Sequence, residues 1–232
     1  VSAPDPTAVP PDLPCDRVVV RGPDTWTFLQ SLLSQDVEAL GDGEVRPTLL
    51  LTPQGKVEIL ATVGRAGDDA VLETDPGWGD RLVELLTRYR IRTKVEIDVV
   101  ARAPEPDAEL ERVRIEAGVP RLGFDLDDSV IPQEAFLDEE AVSFTKGCFV
   151  GQELVCRIDT RGHVNRYLRR LRPDDAARTL PVGAPISVGD KVVGAVTSAA
   201  PGVALGYVRR EVEPPATVTV DGAPVAVLPR AR

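Results

Sequence analysis

The chain has 232 residues, a 43% apolar share and 37 acidic against 27 basic residues, for a net charge of −10. That length fits one large or two small domains, the apolar share supports buried cores, and the charge disfavours direct nucleic-acid binding. No apolar run reaches the ~18 residues of a membrane span, no secretory signal is visible, and three cysteines without a CxxC pair, with a single histidine, argue against a disulfide framework or a metal site and for the cytoplasm.

Residues 1–14, rich in Pro and Asp, read as an irregular arm. Arg17 to Arg21 reads as a strand. Gly22-Pro23-Asp24 then turns the chain into a helix from about Thr25 to Leu40. Trp26, Leu29, Leu33, Val37 and Leu40 recur at three and four, which makes them its buried face. Arg46 to Thr52 and Lys56 to Val63 are partner strands joined by Thr52-Pro53-Gln54-Gly55, a type I turn. Ala70 to Thr74 is a third strand, Trp78 to Tyr89 a helix and Thr93 to Val100 a further strand. Together they make a compact α+β lobe.

Ala103 to Asp107 replaces the apolar rhythm with Pro and acid, a boundary signal. Ala108 to Ala117 is helical and Gly118 stops it. Asp125 to Asp128 reads as a solvated acidic loop. From Asn165 onward, Val-rich runs alternate with turns such as Asp221-Gly222, the texture of a small antiparallel β-barrel or sandwich.

The stretch that carries chemistry is Lys146-Gly147-Cys148-Phe149-Val150-Gly151-Gln152-Glu153. Cys148 stands between two glycines, just before a short helical pattern from Glu153 to Thr160. The helix mouth and Lys146 would both favour the thiolate. The competing reading is a half-buried loop cysteine with glycines present only for the turn. Arg157, Arg161, Arg166, Arg169, Arg170 and Arg172 crowd sixteen residues that hold one acid, Asp159. They form either a solvated face or an anion-binding surface.

This signature, with Arg114 to Gly118, Ile131-Pro132-Gln133-Glu134 and Val142 to Thr145, strongly resembles that of the YgfZ-type folate-binding proteins, relatives of the glycine-cleavage T-protein. The resemblance takes in nearly the whole chain. It implies an α+β, three-lobed cloverleaf with a ferredoxin-like lobe and a C-terminal antiparallel β-barrel. Residues 15–50 plus 104–163 would form a discontinuous folate-binding lobe, 51–103 an inserted lobe and 164–232 the barrel. It further implies tetrahydrofolate, or a one-carbon derivative, as cofactor, and iron–sulfur assembly or client proteins as partners, with an effect on tRNA modification. Cys148 would be the reactive thiol, aided by Lys146. Glu116, Gly147, Gly151, Gln152, Arg157 and Arg161 would contact folate. The thiol could make a mixed disulfide, ligate a cluster transiently or accept a one-carbon unit. The alternative is a tetrahydrofolate-dependent aminomethyl transferase. Its acidic pair after the glycine turn is replaced here by Ile59 and Leu60, with Glu58 one residue off. The positions of pterin-lining tryptophans hold Cys15 and Leu110.

Overall fold

A computed structural model describes residues 13–230 of the chain. The expected N-terminal arm falls, through residue 12, outside the described residues. The chain separates into two compact units, Pro14–Glu105 with Leu126–His163, and Pro106–Asp125 with the residues from Val164 on.

The first unit is built on an antiparallel sheet of five strands, β1 (Asp16–Arg21), β2 (Val45–Leu51), β3 (Val57–Ala66), β4 (Asp69–Thr74) and β5 (Glu96–Ala101), in the order β2-β3-β4-β1-β5. The sheet joins residues from both sides of the lobe boundary expected at residues 50 and 51. The cause lies in β1. Val18, Val19 and Val20 are 0%, 6% and 0% exposed, so the strand is apolar on both faces and takes a central place between β4 and β5.

Helix α1 (Thr25–Leu32) stops eight residues earlier than the apolar period predicts. Leu29, Leu33, Val37 and Leu40 are buried as expected. Beyond Leu32, however, the backbone is drawn into sheet contacts. Leu33 bridges Leu50, the Ser34 N–H donates to the Leu49 carbonyl, and the Ser34 hydroxyl accepts from the Leu49 N–H. Trp26 is half-buried rather than core, with the Arg65 guanidinium 4.0 Å above its ring; Phe28 takes the core position. Helix α2 (Gly79–Tyr89) packs Leu82, Leu85 and Leu86 inward. Asp16 holds the start of α2 by accepting from the N–H groups of Gly77 and Gly79. A 3-10 turn (Pro132–Glu134), α4 (Asp138–Ala141) and α5 (Gln152–Arg161) complete this unit.

The second unit is a closed six-stranded barrel with helix α3 (Ala108–Ala117) against it. Its strands are β6 (Arg166–Pro173), β7 (Pro185–Val188), β8 (Lys191–Ala200), β9 (Val203–Arg209), β10 (Ala216–Val220) and β11 (Ala223–Leu228). Pairing of β7 with β10 closes the ring, and Leu171, Ile186, Val196, Val218, Val225 and Val227 fill it. Asp221 and Gly222 turn the β10–β11 hairpin with positive φ at both, as an Asp-Gly turn demands.

The acidic run is only half solvated. Asp127 and Asp128 are exposed, but the Asp125 carboxylate is fully buried and accepts from Arg114 Nη1 at 2.8 Å, from Ser198 Oγ at 2.8 Å and from Thr197 Oγ1. Burial opposes the charge of Arg114, which is 2% exposed, but bonds to Glu111 and Asp125 outweigh it and raise the guanidinium above its ordinary value. The network ties α3 and the Asp125 turn to strand β8.

Candidate functional site around Cys148

The signature loop is held at three points, and Cys148 lies between them. The first is Lys146. Its ammonium donates to the carbonyls of Gln30 at 2.7 Å, Leu33 at 2.7 Å and Gln35 at 2.9 Å. These carbonyls lie at and just past the C-terminal end of α1, which has no basic residue in its own last turn, so Lys146 supplies the cation that end lacks. An ammonium has three donors, and here all three are engaged. The charge expected to sit by the thiol is therefore committed to α1. Burial pushes Lys146 down to about 8, partly offset by Asp36 and Glu38.

The second point is Phe149, 7% exposed, with the Lys146 ammonium 5.4 Å from its ring centre. The third is the entry to α5. Gln152 Oε1 accepts the Phe149 N–H at 3.1 Å, which closes the loop on itself. Gly151 stands just before the helix with φ +79. A Cβ there would lie 2.3 Å from the Thr52 carbonyl oxygen. Gly55 mirrors it: at φ +75, a Cβ would lie 2.8 Å from the Gly151 carbonyl oxygen and 2.8 Å from Leu154 Cβ. The turn Thr52–Gly55 and the signature loop thus meet backbone to backbone, which only glycine allows. Gln133 adds a brace, donating its side-chain amide to the Val155 carbonyl of α5 at 3.0 Å.

Gly147 behaves differently. Its φ is not positive and nothing lies within 4 Å of where a Cβ would stand. The fold does not require glycine here; the space beside Cys148 is open to solvent. Cys148 itself is exposed. Cys156, on α5, is half-buried, and burial followed by Asp159 pushes its thiol up.

The remaining candidates are spread over both units. Arg157 pairs with Glu153 along the exposed face of α5. Arg161, in the last turn of α5, is exposed and makes no ion pair among the described residues. Glu116 belongs to the second unit, where it pairs with Arg112 at 2.8 Å on the surface of α3. Along β3, Val57, Ile59 and Ala61 are buried and alternate with Glu58 and Leu60. Ile59 is 0% exposed, and Glu58, on the other face, pairs with Arg81 at 3.2 Å. Cys15 and Leu110 are each half-buried.

Sequence reasoning missed the engagement of Lys146 with α1, the Gly55–Gly151 contact and the Gln133 brace. Each joins residues that are distant along the chain. Only the turn Thr52–Gly55 left a local signal.

Residues 169–231 match the family described as CAF17, C-terminal beta-barrel domain. The chain is 30% identical over 193 residues to an aminomethyltransferase of Streptomyces avermitilis, across 82% of this chain and 49% of the relative. It is 28% identical to an aminomethyltransferase of a Nostoc species, across 90% of this chain and 52% of the relative. The chain thus spans about half the length of these two aminomethyltransferases. An uncharacterized protein of Haemophilus influenzae is 26% identical, across 65% of this chain and 68% of that protein. The crystal structure of the glycine cleavage system aminomethyltransferase T from Bartonella henselae superposes with a TM-score of 0.82 at 17% identity, covering 94% of this chain and 85% of that one. The fold is therefore that of the T-type aminomethyltransferases, with a closed antiparallel barrel at its C-terminal end.

Proposed function

We propose that this protein is a YgfZ-type, folate-binding accessory factor for iron–sulfur cluster assembly or repair, with Cys148 as its reactive thiol and an effect on tRNA modification through cluster-containing enzymes. The observation that carries the reading is the contrast between the two halves of the site. The Cys148 loop is braced by Lys146, Phe149 and Gln152 and exposes its thiol. The positions that would carry the carboxylates of an aminomethyl transferase are Ile59, in the core, and Leu60. A carboxylate must reach the folate amine to manage its proton, and an isoleucine and a leucine cannot. The aminomethyltransferase relatives favour a folate ligand, and the residues present fit binding better than group transfer.

For that ligand, Gly147 leaves open space and Arg161 offers an exposed guanidinium that makes no ion pair among the described residues. Arg161 suits the carboxylates of a polyglutamate tail, because the guanidinium fork matches them bidentately. Gly151, Gln152 and Arg157 shape the loop and α5 in this reading. When bound, reduced folate supplies a one-carbon carrier; the chain's part is to bind it and to present a thiol.

The test is a calorimetric titration with tetrahydrofolate, run on the native chain and on Cys148→Ser. Binding in the micromolar range that survives the substitution supports a folate site distinct from the thiol. Arg161→Ala should then weaken polyglutamated folate more than the monoglutamate. No heat from either protein would remove folate from the reading.

A further inference from the structure

The segment that leaves α2 carries a charge pattern opposite to that of the chain as a whole. Residues 88–94 read Arg-Tyr-Arg-Ile-Arg-Thr-Lys, four cations with no carboxylate in a chain of net charge −10. The fold accounts for two of them. Arg88 pairs with Glu84 one turn back, and Arg90 donates to the Val95 carbonyl. Both also sit at the negative end of the α2 dipole.

Ile91, Arg92 and Lys94 have no such explanation. Ile91 is 75% exposed. Arg92 holds φ +61, a left-handed conformation in which a side chain is strained and glycine is not. The Arg92 and Lys94 side chains are exposed and form no ion pair among the described residues. The base of the loop is firm all the same. The Lys94 N–H donates to Asp24 Oδ2 at 2.7 Å, and the Lys94 carbonyl oxygen lies 2.2 Å from where a Cβ on Gly22 would stand. Beside it opens a cleft of about 390 Å³ lined by Arg21, Gly22, Pro23, Lys94, Val95 and Glu96.

We propose that Ile91, Arg92 and Lys94 dock a protein partner that presents an apolar pocket rimmed by carboxylates. An apolar anchor beside a guanidinium is the make-up of an interface hot spot, and the fixed base lowers the ordering cost of binding. Charge selects the rim, since guanidinium and ammonium pair with carboxylates. Nucleic acid fits poorly, because the segment holds one aromatic, Tyr89, which is half-buried, and the chain as a whole is acidic. A single isoleucine is also too little apolar surface to hold the chain at a bilayer.

The test places a photo-crosslinking benzoylphenylalanine at position 91 and, as control, at the exposed Val188 of the barrel. Both are irradiated in lysate of the source cells. A protein captured from position 91 and not from 188 is purified and titrated against the unmodified chain. The expected result is an affinity that falls about tenfold or more on Ile91→Ala and on the pair Arg92→Glu, Lys94→Glu, and that weakens with added salt. Crosslinks to RNA or lipid, capture no greater at 91 than at 188, or an affinity indifferent to these substitutions would each overturn the proposal.

Discussion

At the scale of single residues, the two glycines that flank Cys148 serve opposite ends. Gly151→Ala forces a side chain into φ +79 and onto the Thr52 carbonyl, and should cost several kcal/mol of stability in urea unfolding, on the order of 3. Gly147→Ala meets open space and should stay within about 0.5 kcal/mol. Gly55 and Gly151 share one contact, so the double alanine variant should cost less than the sum of the singles. The thiols should divide as sharply. Iodoacetamide at neutral pH should alkylate exposed Cys148 faster than Cys156, whose thiol burial pushes up; equal rates in the folded protein would remove the reactive-thiol reading. Lys146 yields a pH signature. Its folded value near 8 lies below the ordinary 10.5, so between those values the unfolded chain holds a proton that the folded chain has released. Stability then rises with pH across that window. The stability of the native chain relative to Lys146→Met should therefore grow from pH 7.5 to pH 10. A difference that shrinks would mean that the three carbonyl bonds hold the proton more firmly than burial expels it.

At the scale of elements, the places where sequence reading succeeded share one property. The β10–β11 hairpin, the Thr52–Gly55 turn and the helix ending at Gly118 are each dictated by residues within a few positions of one another. The places where it fell short are decided at long range. Helix α1 is cut short because Ser34 finds Leu49 and Ala141, and no local pattern announces those partners. Asp125 looks like its solvated neighbours Asp127 and Asp128 until Arg114 and Ser198 close around it. In the candidate site, the motif pointed to Cys148, which the structure leaves exposed, whereas Lys146 turned to a helix end more than a hundred residues away in sequence. The buried network supplies a test of its own. Asp125→Ala takes from a guanidinium that is 2% exposed its one fully buried carboxylate partner and should cost about 3 kcal/mol, while the paired change Arg114→Met, Asp125→Leu should cost less, because it removes the buried charges together and leaves the part-exposed Glu111 to Arg121.

At the scale of the whole molecule, the chain from Pro14 to Arg230 crosses between its two units three times, at Glu105/Pro106, Asp125/Leu126 and His163/Val164. A cut before the barrel therefore does not yield an independent barrel. A fragment that begins at Val164 lacks α3 and the Asp125 turn, and leaves Thr197, Ser198 and the Tyr207 hydroxyl without the groups they bond. It should melt without a cooperative transition in circular dichroism, and a peptide spanning residues 106–125 should restore one. A cooperative melt of the fragment alone would show that the barrel does not need this segment. The same interleaving sets a timetable for synthesis. Arg114 and Asp125 leave the ribosome well before Ser198, which follows Asp125 by 73 positions. At about 5–20 residues per second, they wait on the order of 4–15 s for the strand that completes their burial. During that interval a polar pair that ends up dry is still in water, and the nascent chain has only the first sheet to fold around.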